Sequence, residues 1–169
     1  MKHLKKLICL TVILTLTVSC LAACKKAKEI KCPFTEITWE NTLDDIKSLG
    51  GELNKTVDSA YEGDTYDVKA TYNGLDGTVQ YMFDANDKLV CMAFNYTSDD
   101  AKDLNSVYQK LLAETEDTYG ESGYHYELAT SGGHVWYSDN GNIILFYIST
   151  DEVKTIQYSY KHPDVSEKE

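Results

Sequence analysis

The feature that most constrains this chain is its punctuation. From about residue 41 to residue 161, short apolar runs are cut at close intervals by turn formers, in the order helix, four strands, helix, four strands. Asn41–Leu49 carries Leu43, Ile46 and Leu49 at helical spacing, sets Thr42 three residues before Asp45 as a capping pair, and stops at Gly50-Gly51. Four runs rich in β-branched and aromatic residues follow, at about 55–61, 65–72, 77–83 and 88–96, separated by Glu62-Gly63-Asp64, Asn73-Gly74 and Asp84 to Asp87. Such a series predicts an antiparallel meander. Ser98 is then expected to cap a longer helix with Asp99, Asp100 and Asp103 in its first turn, where negative charge complements the helix dipole. Leu104, Val107, Tyr108, Leu111 and Leu112 share one face of it, and Gly120 ends it. Four more runs, near 123–129, 133–138, 142–149 and 153–161, are split by Ser131-Gly132-Gly133, Asp139-Asn140-Gly141 and Ser149 to Glu152.

The last hairpins of the two series align in detail. Tyr81-Met82-Phe83 is followed by Leu89 six residues after Phe83, and Leu145-Phe146-Tyr147 by Val153 six residues after Tyr147. The expected fold is α+β: one domain over 35–161, built of two tandem α-β-β-β-β repeats (35–97 and 98–161) whose strands join in one antiparallel sheet with the helices on one face. This order resembles the architecture of the beta-lactamase inhibitor protein. More closely, Ile37-Thr38-Trp39 before the first helix, Gly50 after it, Phe83 with Lys88-Leu89, Tyr119-Gly120 and Val135-Trp136-Tyr137 resemble small lipoproteins of unassigned function from low-GC Gram-positive bacteria. Those chains often carry Trp-Gly where this one has Trp39-Glu40, and the inhibitor's cysteine pairs lack counterparts here. The resemblance is one of pattern and implies no inhibitory activity.

The N-terminus assigns a compartment. Met1–Lys6 is basic and Leu7–Ser19 is an uncharged apolar run of 13 residues, whereas a bilayer span needs roughly 20. It is expected to be an export signal over 1–23. Leu21-Ala22-Ala23-Cys24 resembles a bacterial lipobox, which implies diacylglyceryl attachment at Cys24. Several acyl chains, at ~0.8 kcal/mol per buried CH₂, hold such a chain firmly in a membrane. The competing reading is a cleaved signal with an incidental cysteine. Lys25, Lys26, Lys28 and Lys31 make residues 24–34 a basic tether, whereas the chain from Cys32 onward holds nine lysines against 26 acids. A cationic tether is drawn to anionic headgroups while an acidic domain stands off them; equally, both charges serve solubility.

Composition narrows the function. All 16 basic residues are lysines, so the guanidinium fork favoured for phosphate recognition is missing and no nucleic-acid partner is expected. No HExxH, CxxC or Gly-x-Ser-x-Gly element accompanies His125, His134 or His162, the last in an expected C-terminal tail over 162–169. Asp84-Ala85-Asn86-Asp87 lacks the central glycine and final glutamate of a calcium loop, and the other acid clusters sit at helix starts. No metal, cofactor or enzymatic activity is expected. Cys32 and Cys91 are left either as a disulfide in an oxidising compartment or as two free thiols.

An antiparallel sheet covered by helices on one side leaves its other face available. Alternation directs Tyr66, Val68, Ala70 and Tyr72, and likewise Val79, Tyr81 and Phe83, toward the helices. The runs 88–96 and 142–149 are apolar on both alternations, which predicts an exposed apolar patch at the sheet centre, with Met82, Met92, Trp136 and Tyr147 or their opposite-face neighbours as binding residues. Burial of both faces is the alternative. The expected function is a membrane-anchored extracytoplasmic lipoprotein, held through Cys24, that binds an envelope or extracellular protein; the alternative is a binder of a carbohydrate or a small cationic molecule.

Overall fold

The structure, a computed structural model, describes residues 30–56 and 60–166. The export signal, Cys24 and most of the tether lie outside them. Helix α1 (Leu43–Ser48) begins at a reciprocal capping box: the Asp45 amide donates to Thr42 Oγ1 at 3.4 Å and the Thr42 amide to Asp45 Oδ2 at 2.7 Å. Strands β1 (Asn54–Thr56), β2 (Thr65–Tyr72), β3 (Leu75–Phe83) and β4 (Leu89–Thr97) follow, then helix α2 (Ala101–Tyr119) and strands β5 (Tyr124–Glu127), β6 (Ser131–Trp136), β7 (Asn142–Ser149) and β8 (Lys154–Lys161). All eight strands form one antiparallel sheet in the order β1-β2-β3-β4-β8-β7-β6-β5. The α+β class holds. Two four-stranded meanders meet last strand to last strand, from Cys91↔Lys161 to Thr97↔Thr155.

Local chemistry explains the joints. Asn73 (φ 51°) and Gly74 (φ 78°) both take the left-handed conformation, so Tyr72 pairs directly with Leu75 through a two-residue turn whose twist suits a hairpin. Helix α2 is capped by Asp100, whose carboxylate accepts from the Lys102 amide at 2.7 Å, and not by Ser98, whose hydroxyl instead accepts from the Asp100 amide. The expected break at Ser131-Gly132-Gly133 is also corrected, because those residues open β6 and the turn falls at 128–130. Of the first run, Asn54–Thr56 form β1, 57–59 lie outside the described residues, and Ala60 and Tyr61 fall in a turn instead of the expected strand.

One face of the sheet carries the core. Val79, Tyr81, Met92, Phe94, Ile156, Tyr158, Tyr160, Ile143, Leu145 and Trp136 are buried there beneath α1, α2 and the segment from Ile30 to Thr42. Burial of each such side chain is worth ~1.5–3 kcal/mol. Helix α2 contributes Leu104, Val107, Tyr108, Leu111 and Thr115, and the Thr115 hydroxyl meets Tyr158 OH at 2.8 Å. Phe34 packs on Tyr72, Phe94 and Tyr158, while Trp39 stacks on Tyr160 at 4.5 Å. The tether thus gives way to core at Ile30, because Ile30, Cys32 and Phe34 are apolar and lie against that face. His162 belongs to no frayed tail: its amide donates to the Val90 carbonyl at 2.8 Å, its ring meets Trp39, and a 3₁₀ turn (Pro163–Val165) follows.

Candidate binding face

Strand register decides which side chains share a face, because neighbours directly across the ladder point the same way. The pairings Tyr81↔Met92, Met92↔Tyr160, Tyr160↔Ile143 and Ile143↔Trp136 place Met92 and Trp136 on the helix side. Met92 is 0% and Trp136 3% exposed, and the Trp136 indole donates to the Gly120 carbonyl at 2.8 Å. Tyr147 shares that face, its ring 4.6 Å from Tyr108 of α2. Only Met82 of the four expected binding residues lies on the opposite face, and it is closed off with Cys91 and Ala93 beside Tyr61. The four named residues are therefore corrected: Met92 and Trp136 are core, Tyr147 is half-buried against α2 and Met82 is covered, while the opposite-face neighbours Phe146 and Val135 lie on the open side.

The uncovered face has two unlike halves. Across β2, β3, β4 and β8 runs a chain of side-chain hydrogen bonds in which Gln80 donates to Asp67 (3.0 Å), Asn95 to Gln80 (2.9 Å) and Gln157 to Asn95 (3.0 Å). Each amide is held by the next, which fixes the orientation of this polar strip. Beyond Gln157 the chemistry changes at its cross-strand neighbour Phe146. Ile144, Phe146 and Ile148 of β7 and Val135 of β6 are half-buried on this side, and β5 adds Tyr124 and Tyr126. Tyr124 is 53%, Tyr126 37% and Leu128, next in the same alternation, 64% exposed. Exposed aromatic and aliphatic groups concentrated this way mark an interaction surface.

Gly133 builds this surface. A Cβ there would meet Phe146 Cβ and Tyr126 Cε1, both at 3.0 Å, so the absence of a side chain lets the Tyr126 ring lie across the strand toward Phe146. At one end, Tyr124, Val135, Tyr137, Asn142, Ile144 and Lys161 line a shallow concavity of ≈ 350 Å³.

On the helix side of the same strands, His125 and His134 face each other across the β5–β6 ladder with rings stacked at 5.4 Å. His134 Nδ1 lies 2.9 Å from Ser122 Oγ, and its ring also stacks on Trp136. Burial, and then the neighbouring His125, hold the His134 imidazole below its ordinary pKa, against the opposing carboxylates of Glu116 and Glu127. Among the described residues no group of three or more His, Cys, Asp or Glu side chains is arranged to hold a metal ion. Cys32 and Cys91 are both free, and burial pushes their thiols up to about 12 and about 11, which keeps them protonated and inert.

The doubly apolar run 142–149 pointed to Ile144, Phe146 and Ile148 on this surface, whereas Tyr124, Tyr126 and Leu128 of the β5 run escaped sequence reasoning, although a signal existed. Tyr124-His125-Tyr126-Glu127-Leu128 alternates strictly, and nothing in it says which alternation the helix covers. No protein family, curated protein or solved structure matches the chain, so functional argument rests on this geometry. Among the described residues, no helix is long and apolar enough to cross a membrane.

Proposed function

We propose that this protein is a lipid-anchored, extracytoplasmic, non-enzymatic binding module that engages another protein through the uncovered face of β5–β7. The observation that carries this reading is the exposure of Tyr124, Tyr126 and Leu128 beside half-buried Val135, Ile144, Phe146 and Ile148. The position of Ile30 bears on anchorage at Cys24. The Ile30 carbonyl accepts from Tyr160 OH at 3.0 Å and from the Asn140 side-chain amide, at the end of the sheet that holds the β3–β4 and β6–β7 turns. Six residue steps lead from Cys24 to Ile30 and span at most ~20 Å, which would turn that end toward the membrane. Tandem duplication of the α-β-β-β-β unit is part of the proposal, supported by the mirrored strand order; the residue-by-residue match of the last hairpins does not hold, because Phe83 pairs with Leu89 whereas Tyr147 pairs with Ile156 and Val153 lies exposed in the turn before β8.

A photocrosslinking residue placed at Tyr126 of the full anchored chain, in its own envelope, tests the binding face. One placed at Lys69, on the polar half of the same face, serves as its control. A discrete protein adduct from position 126 and none from position 69 is expected, and equal or absent labelling overturns the reading. Mass analysis of the mature chain should show diacylglyceryl and acyl groups on Cys24, and Cys24→Ala should release the protein from the membrane fraction. The small-ligand reading is favoured by the concavity beside Tyr124, whose volume lies at the low end of ligand sites. It predicts saturable binding of a sugar or small cation that Tyr124→Ala removes.

A further inference from the structure

We infer that β5 is an acceptor edge for an extended, basic segment of the partner, which joins the sheet as a ninth strand and lays its apolar side chains over Tyr124, Tyr126 and Leu128. The inference rests on the protein-binding reading above and gives it a chemistry. Among the described residues β5 pairs with β6 alone, and all four of its residues are exposed. The Leu128 amide donates to the Ser131 carbonyl at 2.7 Å. By the alternation of an antiparallel ladder, Tyr126 and Tyr124 then bond inward to β6, and the N–H and C=O groups of His125 and Glu127 point out from the edge. Edge addition of a strand uses such groups for affinity and the flanking side-chain sockets for specificity.

Proteins usually guard an open edge with lysine, proline, a bulge or extreme shortness. The other edge of this sheet does so with a lysine: Lys55 of β1, paired with Asp64 at 2.7 Å. Tyr-His-Tyr-Glu carries no lysine and no proline. Charge selects the occupant. Residues 111–153, which contain β5, β6 and β7, hold eight carboxylates and no lysine; Glu127 and Glu116 face the β5–β6 ladder, and Lys161 of β8 reaches the face only beside Tyr124. A second copy of the chain would bring the same carboxylates to the edge, and an anionic lipid surface would be repelled as well, whereas a lysine- or arginine-bearing strand is attracted. The faces set its pattern: apolar side chains opposite Tyr124 and Tyr126, and basic ones on the helix side, toward Glu127 and Glu116.

The test uses the full chain in detergent and a blocked synthetic nonapeptide of alternating lysine and valine as probe, with hydrogen exchange read at single amides. The peptide is expected to slow exchange at His125 and Glu127 at least tenfold, with an affinity that falls as salt is raised. A glutamate-for-lysine peptide and an N-methylated peptide should do neither. Glu127→Pro removes one outward N–H and no bond to β6, and should weaken the probe at least tenfold while thermal unfolding stays put. Lysine alone at position 127 (Glu127→Lys) should weaken it less. Protection at His125 and Glu127 that appears without peptide and grows with protein concentration would overturn the inference in favour of a second copy. A probe that perturbs Tyr126 and Phe146 but leaves those two amides exchanging freely would sink edge pairing and leave the binding face standing. Loss of crosslinking from position 126 in the envelope would sink both.

Discussion

At one edge of the sheet stands β1, its Lys55 fixed to Asp64; at the other stands β5, whose tyrosines are exposed and which itself carries no lysine. The contrast runs inward from both edges. Behind β1 the uncovered face is sealed by an amide chain from Asp67 to Gln157 and by Tyr61 over Met82, Cys91 and Ala93. Behind β5 it holds Val135, Ile144, Phe146 and Ile148 at half exposure. Two meanders of like topology therefore carry unlike surfaces. The comparison teaches that strand order fixes the scaffold, while the residues on one alternation decide whether a half is closed or available.

Substitutions separate the closed parts of the molecule from the available one, ranked here by their effect on stability. Leu145→Ala, beneath α2, should cost ~3–5 kcal/mol in denaturant unfolding, whereas Phe146→Ala, one residue on and facing outward, should cost about 1. Equal losses would mean that the second half is as closed as the first. Asn95→Ala removes the middle of the amide chain and strips Gln80 and Gln157 of partners, a loss of ~1–2 kcal/mol by the same measurement. Tyr126→Lys transplants the guard of β1 onto β5; stability should move by under ~0.5 kcal/mol while crosslinking from position 124 disappears.

The smallest effect is one of pH. His134, among Ser122, Trp136, Tyr108, Tyr147, Glu116, Glu127 and His125, resists protonation because it is partly buried beside another imidazole. Above the ordinary imidazole range nothing is lost. As pH falls through that range, the opened chain takes up a proton that the folded one refuses, so the β5–β6 pairing weakens. Exchange at the Tyr124 and Tyr126 amides should quicken, relative to the intrinsic rate, between pH 7.5 and 5. His134→Gln should remove most of that change, and a β1 amide such as that of Lys55 should not show it.

Much of the scaffold was legible because turns are local events. Asn73-Gly74 announces its hairpin through two residues that tolerate left-handed backbone, and β2 falls where alternation puts it, from Thr65 to Tyr72. The β7 part of the open face was legible in its doubly apolar run, but the β5 part was not, because facing is a property of pairs of strands. Register with His134 turns His125 toward α2 and Tyr126 away from it, and no periodicity within β5 encodes that choice. The glycines at 132 and 133 misled for a related reason. Their small size serves rings that arrive from Tyr147 and Tyr126, long after or before them in sequence, and mimics a turn signal. Met92 and Trp136 likewise look like candidate anchors until β4, β6 and β7 are aligned, when both fall inside the core.

The seam between β4 and β8 has a consequence for biogenesis. The strand that unites the two halves is also the last to be synthesised, ending at Lys161. Until it arrives, neither meander can complete its side of the sheet, and contacts so distant in sequence form slowly. A truncation before Lys154 would remove the neighbour that β4 and β7 share, and with it the continuity of the eight-stranded sheet.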